Sequence, residues 1–271
     1  MEADKKEFLI GFFTGLPYNM QPIYARLRER ARQIVSTFPP PDFYEDQSRA
    51  YEFSKRFLKN DPAVKKLHGF VADQLEDNFG HGLRHAVKVT IDAGALLIIE
   101  GQDAGYGRSM LERRMRVVQC AGLLHDIKRK KKEHAKLGAA RAREILKEYP
   151  LTPHEIEDVC RAIRNHEAFK NDILITTSKG TLVSDCLYDA DKFRWGPDNF
   201  TDTLWDMISF YNPPLPKFMA RYPQGMEGLE KIKITFRTQT GKKYGPRFID
   251  LGLAIGEKLY DVIQTEFSDC L

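Results

Sequence analysis

The chain has 271 residues, 42% of them apolar and 30% charged, with a net charge of +4, the balance of an ordinary globular protein with room for a sizeable core. Its longest apolar runs, Phe8–Phe13 and Ala93–Ile99, fall short of the roughly 18 to 20 residues that span a bilayer, so no membrane segment is expected, and so mild a basic excess gives no reason to expect nucleic acid. Four widely spaced cysteines without a C-x-x-C pair argue against a disulfide framework and, with an acidic start that lacks a cleavage signal, point to the cytoplasm.

Residues 1–38 read as helical: Ile23, Leu27, Ala31 and Val35 recur at four-residue steps, with Arg26, Arg28, Arg30 and Arg32 on other faces. Pro39-Pro40-Pro41 breaks the pattern. Tyr51, Phe53, Phe57 and Leu58 suggest a further short helix, and Val64 to Phe79 another. His81 and His85 then stand four apart, and His85, Val89, Asp92 and Leu96 continue one helical face. Of the two, His85 is deeper in the helix and is the one expected to point at the core. Gly101 to Gly107 reads as a loop. A second helix from about Ser109 to Lys128 carries an apolar run that closes on His125-Asp126. A carboxylate at the edge of a core must be paired, hydrogen-bonded or metal-bound, because an isolated buried charge is expensive. The basic run Lys128 to Lys132 comes next, a solvated face or the mouth of a site that draws in phosphate.

From Glu133 to Tyr149, residues His134, Leu137, Gly138, Arg141, Ala142 and Ile145 are assigned to one helical stripe. Thr152-Pro153-His154-Glu155 is a helix start, with Thr152 as N-cap and Glu155 completing a capping box. Ile156, Val159, Ile163 and His166 then extend a buried face. Val183, Leu187 and Asp191 follow at four-residue steps, which selects Asp191 over Asp185 and Asp189 as the inward carboxylate. In the tail, Ile232 to Phe236 carries a short strand signal, Thr238 to Arg247 reads as a glycine-bearing loop, and a last helix runs from Phe248 to about Phe267. The expectation is an all-α single helical domain over 1–271, with a core at about 75–200, an N-terminal helical extension at 1–74 and a C-terminal one at 201–271. Imidazoles and carboxylates gathered on inward faces suit Mn, Fe, Ni, Co or Zn.

His85-x-x-Lys88-Val89, Leu124-His125-Asp126-Ile127 and Asp189-Ala190-Asp191-Lys192-Phe193 resemble the H…HD…D signature of the HD-domain metal-dependent phosphohydrolase superfamily. The resemblance implies an HD-domain helical bundle in which His85, His125, Asp126 and Asp191 bind one divalent metal. Glu133-His134 and Asn165-His166 are similar to the extra histidines of two-metal members such as the HD-GYP cyclic dinucleotide phosphodiesterases. By that likeness Asp126 bridges and His134 and His166 hold a second ion. Lys128 stands where HD-GYP proteins carry glycine and no G-Y-P follows, so a cyclic di-GMP substrate is not implied. The implied activity is hydrolysis of a phosphate ester or anhydride, with a nucleotide or similar small phosphate as substrate. An activated water would attack phosphorus in line, His81 would protonate the leaving oxygen, and Lys128, Lys192 and Arg194 would hold phosphate. Two other readings share the ligands: an HD-fold di-iron oxygenase acting on a small polar substrate, and a metal-binding regulatory module without turnover.

Overall fold

Among the described residues, 21–74 and 82–271, the computed structural model consists of α-helices joined by turns and loops, with one π-helical turn, one terminal 3-10 turn and no strand. In chain order the helices are α1 (Pro22–Ser36), α2 (Phe43–Asp46), α3 (Ser48–Asn60), α4 (Pro62–Gln74), α5 (Leu83–Asp103), α6 (Arg108–Leu124), α7 (His134–Leu146), α8 (Pro153–Arg164), α9 (Ser178–Phe193), α10 (Leu204–Tyr211), α11 (Leu215–Ile232) and α12 (Gln239–Glu266). The fold is all-α, as the periodicity predicts.

α5 lies at the centre because it is apolar nearly all round: Val89, Ala93, Leu96 and Leu97 are buried, and so are Thr90, Ile91 and Ala95 on the other faces. A helix that is apolar over most of its circumference has to be covered on most sides. It packs against α3, α6, α9 and α12. α6, α8 and α9 also pack on one another, and α7 lies across α8, so the helices that carry the candidate ligands form one bundle. α6 approaches α5 at Gly122, where an added Cβ would lie 2.7 Å from the Thr90 Cα. Only glycine allows the two backbones to come this close.

Local signals set several boundaries. Thr152 Oγ1 accepts from the Glu155 amide at 3.3 Å while the Thr152 amide donates to Glu155 Oε2 at 2.7 Å, the capping box read from the sequence. Asp61 caps α4 by accepting from the amides of Ala63 and Val64 at 3.1 and 3.0 Å, and is held to α6 by Arg116 Nη2 at 2.7 Å.

Six expectations are corrected. α1 buries Tyr24, Leu27, Ala31 and Ile34, with Ile23 and Val35 only flanking the seam. α5 runs on to Asp103, leaving a shorter connection, and α6 ends at Leu124. On α7 the buried set is His134, Ala135, Gly138, Ala139, Ala142, Ile145 and Leu146; Leu137 is exposed and Arg141 faces solvent, because the small residues let α7 lie close to α8. Ile232 to Phe236 is a helix end and a turn. α12 begins nine residues before Phe248: Asp189 accepts from the Arg237 and Thr238 amides at 2.8 Å each, and Thr238 Oγ1 accepts from the Gly241 amide at 2.8 Å. The helix start is therefore capped from α9, and the segment expected as a loop is its first turns. The part of the Val64–Phe79 helix beyond Gln74 lies outside the described residues.

Candidate metal centre

Each candidate ligand sits at or just beyond a helix end. His85 is in the first turn of α5, His125 and Asp126 follow the last residue of α6, His134 opens α7, His166 lies two residues past α8 and Asp191 is in the last turn of α9. All six are buried. They fall into two groups, His85 with His125 and Asp191, and Asp126 with His134 and His166, each able to hold a metal ion.

In the first group His85 Nε2 is 3.2 Å from both His125 Nε2 and Asp191 Oδ1, and His125 Nε2 is 3.8 Å from the same oxygen. In the second, Asp126 Oδ1 is 3.6 Å from His134 Nε2 and 3.5 Å from His166 Nε2, and the two nitrogens are 3.3 Å apart. Asp126 Oδ2 faces the other way, 3.6 Å from His125 Nε2. One carboxylate thus offers an oxygen to each group.

The tautomers follow from the acceptors. His125 Nδ1 donates to the Gly122 carbonyl at 2.7 Å and His166 Nδ1 to the Ile163 carbonyl at 2.6 Å. A carbonyl only accepts, so each Nδ1 carries the proton and each Nε2 presents a lone pair. The Arg129 guanidinium, which only donates, meets His134 Nε2 at 2.8 Å, so that nitrogen is an acceptor too. Lone pairs about 3.3 Å apart around a carboxylate repel unless a cation lies among them. Metal–nitrogen bonds of about 2.1 Å separate neighbouring donors by about 3.0 to 3.4 Å at right or tetrahedral angles. The residues present therefore fit a transition-metal ion at each group.

Charge agrees with this. Burial lowers the His125 pKa against the pull of Asp126 and Asp191, and burial, with Arg129 and His166, takes His134 down to about 4. Both imidazoles are neutral at physiological pH, as ligands must be. Burial alone would raise Asp191, but the adjacent Lys192 ammonium holds it well below the usual carboxylate range. Lys192 Nζ donates to Asp191 Oδ2 at 2.5 Å and to the His166 carbonyl at 2.8 Å, leaving Oδ1 to face the imidazoles.

Of the other residues selected from the sequence, His81 lies outside the described residues. Lys128 is exposed on the turn after Asp126. Lys192 and Arg194, expected to hold phosphate, are instead buried with their charges committed inside the protein. Arg194 is paired with Asp92 and Asp198 and donates to Tyr44 Oη at 2.6 Å. Its partner Asp92 shares a face of α5 with Lys88, which meets Asp198 at 2.7 Å, and Arg84, which meets Asp202 at 2.6 Å. This charged seam holds α5, the source of His85, against the end of α9, the source of Asp191. Sequence reasoning missed the seam, and it missed Arg129, hidden among five consecutive cations; its signal was a position three residues after Asp126, one helical turn.

Residues 82–195 match the HD domain family. No curated protein matches the chain. A solved structure that does is a crystal structure of a predicted HD superfamily hydrolase from an uncultured Thermotogales bacterium, 20% identical, with a TM-score of 0.41, covering 77% of this chain and 90% of that one.

Proposed function

From the premise that residues 82–195 are an HD domain, we propose that the protein is a metal-dependent phosphohydrolase that cleaves a phosphate ester or anhydride of a nucleotide or similar small phosphate. The observation that carries this reading is the pair of ligand groups joined by Asp126, with His125 and His166 pinned through Nδ1 so that both Nε2 lone pairs face inward. His85, His125 and Asp191 would hold one divalent ion and His134 and His166 a second, with Asp126 between them. Ions bound there acidify water and absorb charge on phosphoryl oxygens.

The chain's own residues supply orientation and attraction. The Gly122 and Ile163 carbonyls fix two imidazoles by their outer nitrogens, an arrangement that raises ligand basicity and prevents ring rotation. Lys192 turns the Asp191 carboxylate by holding its outer oxygen. Lys128 and Lys130 to Lys132 are exposed immediately after Asp126, where they favour an anionic substrate. His81 remains our candidate for protonating the leaving oxygen. Cys120, Cys160 and Cys186 are buried free thiols, which supports our placing the protein in the cytoplasm; among the described residues no helix is long and apolar enough to cross a membrane.

The test is metal analysis of protein purified without chelators, coupled to phosphate release from a panel of nucleotides and phosphodiesters with Mn2+ and without oxygen. Asp126→Ala should lose both bound metal and phosphate release, because it removes the one carboxylate common to both groups. Unchanged metal content and activity in that variant would end the proposal. Oxygen-dependent turnover by an iron form that releases no phosphate would replace hydrolysis with oxidation.

A further inference from the structure

The two ligand groups differ in where the described cations Lys192 and Arg129 make contact. In the first group the nearby cation, Lys192, meets Asp191 Oδ2, the oxygen turned away from His85 and His125. In the second, Arg129 Nη1 meets His134 Nε2 itself at 2.8 Å and stands 3.9 Å from Asp126 Oδ1, the oxygen that faces His134 and His166. An imidazole nitrogen has one lone pair. It can accept from the guanidinium or bind a metal, and not both.

We propose that Arg129 competes with the second metal ion for His134, so that the His85, His125 and Asp191 group fills first and the Asp126, His134 and His166 group binds more weakly. This rests on the metal reading above and extends it to the order and relative affinity of the two positions. Arg129 is well placed to yield: its side chain is 34% exposed, on the turn between α6 and α7, so it can swing into water when an ion takes His134. Lys192, 4% exposed and held at both ends of its reach, has no such freedom. A permanently charged guanidinium also places positive charge beside the second position, which disfavours a divalent ion there and leaves the first position largely untouched.

The experiment is a Mn2+ titration of metal-free protein by calorimetry and equilibrium dialysis, in wild type, Arg129→Gln and Arg129→Lys, with melting temperature as the check on folding. Wild type should bind one ion tightly and a second at least tenfold more weakly. Arg129→Gln should tighten the second ion about tenfold, the loss of one charge-assisted hydrogen bond, with the first unchanged, and Arg129→Lys should give a smaller gain. Adding His134→Ala to Arg129→Gln should abolish the second ion and with it the gain. Two ions bound by wild type, with the second no tighter in Arg129→Gln, would overturn the inference and leave the metal reading standing. Failure of every variant to bind any divalent ion would remove both.

Discussion

Gly122 acts on the centre in two ways. Its carbonyl accepts from His125 Nδ1, and its missing side chain lets α6 lie against Thr90 of α5, where a Cβ would come within 2.6 Å of the hydroxyl and 2.7 Å of the Cα. The hydroxyl has no easy retreat, because Thr90 Oγ1 donates to the Ala86 carbonyl at 2.7 Å. A methyl group at position 122 therefore has to push α5 and α6 apart, and those helices carry His85 and His125, whose nitrogens stand 3.2 Å apart. Gly122→Ala should destabilise the fold by about 1 to 3 kcal/mol, the usual range for overpacking, and weaken the first metal ion at least tenfold although no ligand is altered. Chemical denaturation and Mn2+ titration read the two effects separately. A variant that melts and binds metal like wild type would mean that the α5–α6 distance does not control the site.

The helices deliver their ligands from their ends, which makes caps and termini matter more than propensity in their middles. Asp61 shows how a helix end is fixed against a ligand-bearing helix: it caps α4 and pairs with Arg116 of α6 while only 8% exposed. Asp61→Ala should cost about 2.5 to 4 kcal/mol at neutral pH, a cap of about 1 plus a charge-assisted bond of about 1.5 to 3. Burial pushes the Asp61 carboxyl up, but Arg116 and the amides of Val64 and Ala63 outweigh it, so the folded value lies below the ordinary 3.8. A depressed carboxylate stabilises the fold fully above its unfolded value and loses that contribution as pH falls through 3.8 towards the folded value. The gap between wild type and Asp61→Ala should accordingly be widest at neutral pH and close on acidification below about pH 4, as urea denaturation across pH would show; a constant gap would exclude the ionised pair as its source. Features of this local kind were legible in the sequence. The capping box at Thr152 and Glu155 needs four consecutive residues, and the inward placing of Asp191 needs only its step from Leu187. What was not legible depends on distant partners. The start of α12 is decided by Asp189, whose bond to Thr238 spans 49 positions, and the first turns of that helix carry glycine and proline, which read locally as loop. Lys192 and Arg194 read as phosphate-holding cations because Asp92 and the His166 carbonyl, their buried partners, lie far from them in the chain.

Over the whole molecule, segments on both sides of the matched region complete its core. Phe43 of α2, Phe193 of α9 and Tyr244 and Phe248 of α12 form one aromatic cluster, with Phe193 stacked on Phe248 at 4.2 Å and Phe43 set against Phe193 at 5.2 Å and Tyr244 at 5.5 Å. Phe193 is two residues from Asp191, so chain that precedes and follows the bundle supports a candidate ligand, and we regard these helices as parts of one folding unit. Charge is distributed less evenly. With 42 Lys and Arg against 38 Asp and Glu, the excess is small, yet four lysines stand exposed in the turn just after Asp126. Close to a site, such a local field raises the rate at which an oppositely charged substrate arrives, and salt screens it over about 8 Å at physiological ionic strength. If the substrate is a nucleotide or another multiply charged phosphate, kcat/KM should fall steadily as salt rises. Replacing Lys131 and Lys132 with Glu should lower kcat/KM about three- to tenfold at low salt, flatten its salt dependence, and leave metal content and kcat near wild type, since both side chains are exposed. Steady-state kinetics between 20 and 500 mM salt, about the range over which the screening length falls from roughly 20 to 4 Å, give the measurement. A salt-independent kcat/KM shared by both proteins would mean that the substrate carries little charge, the outcome expected of a small neutral polyol and not of a phosphate.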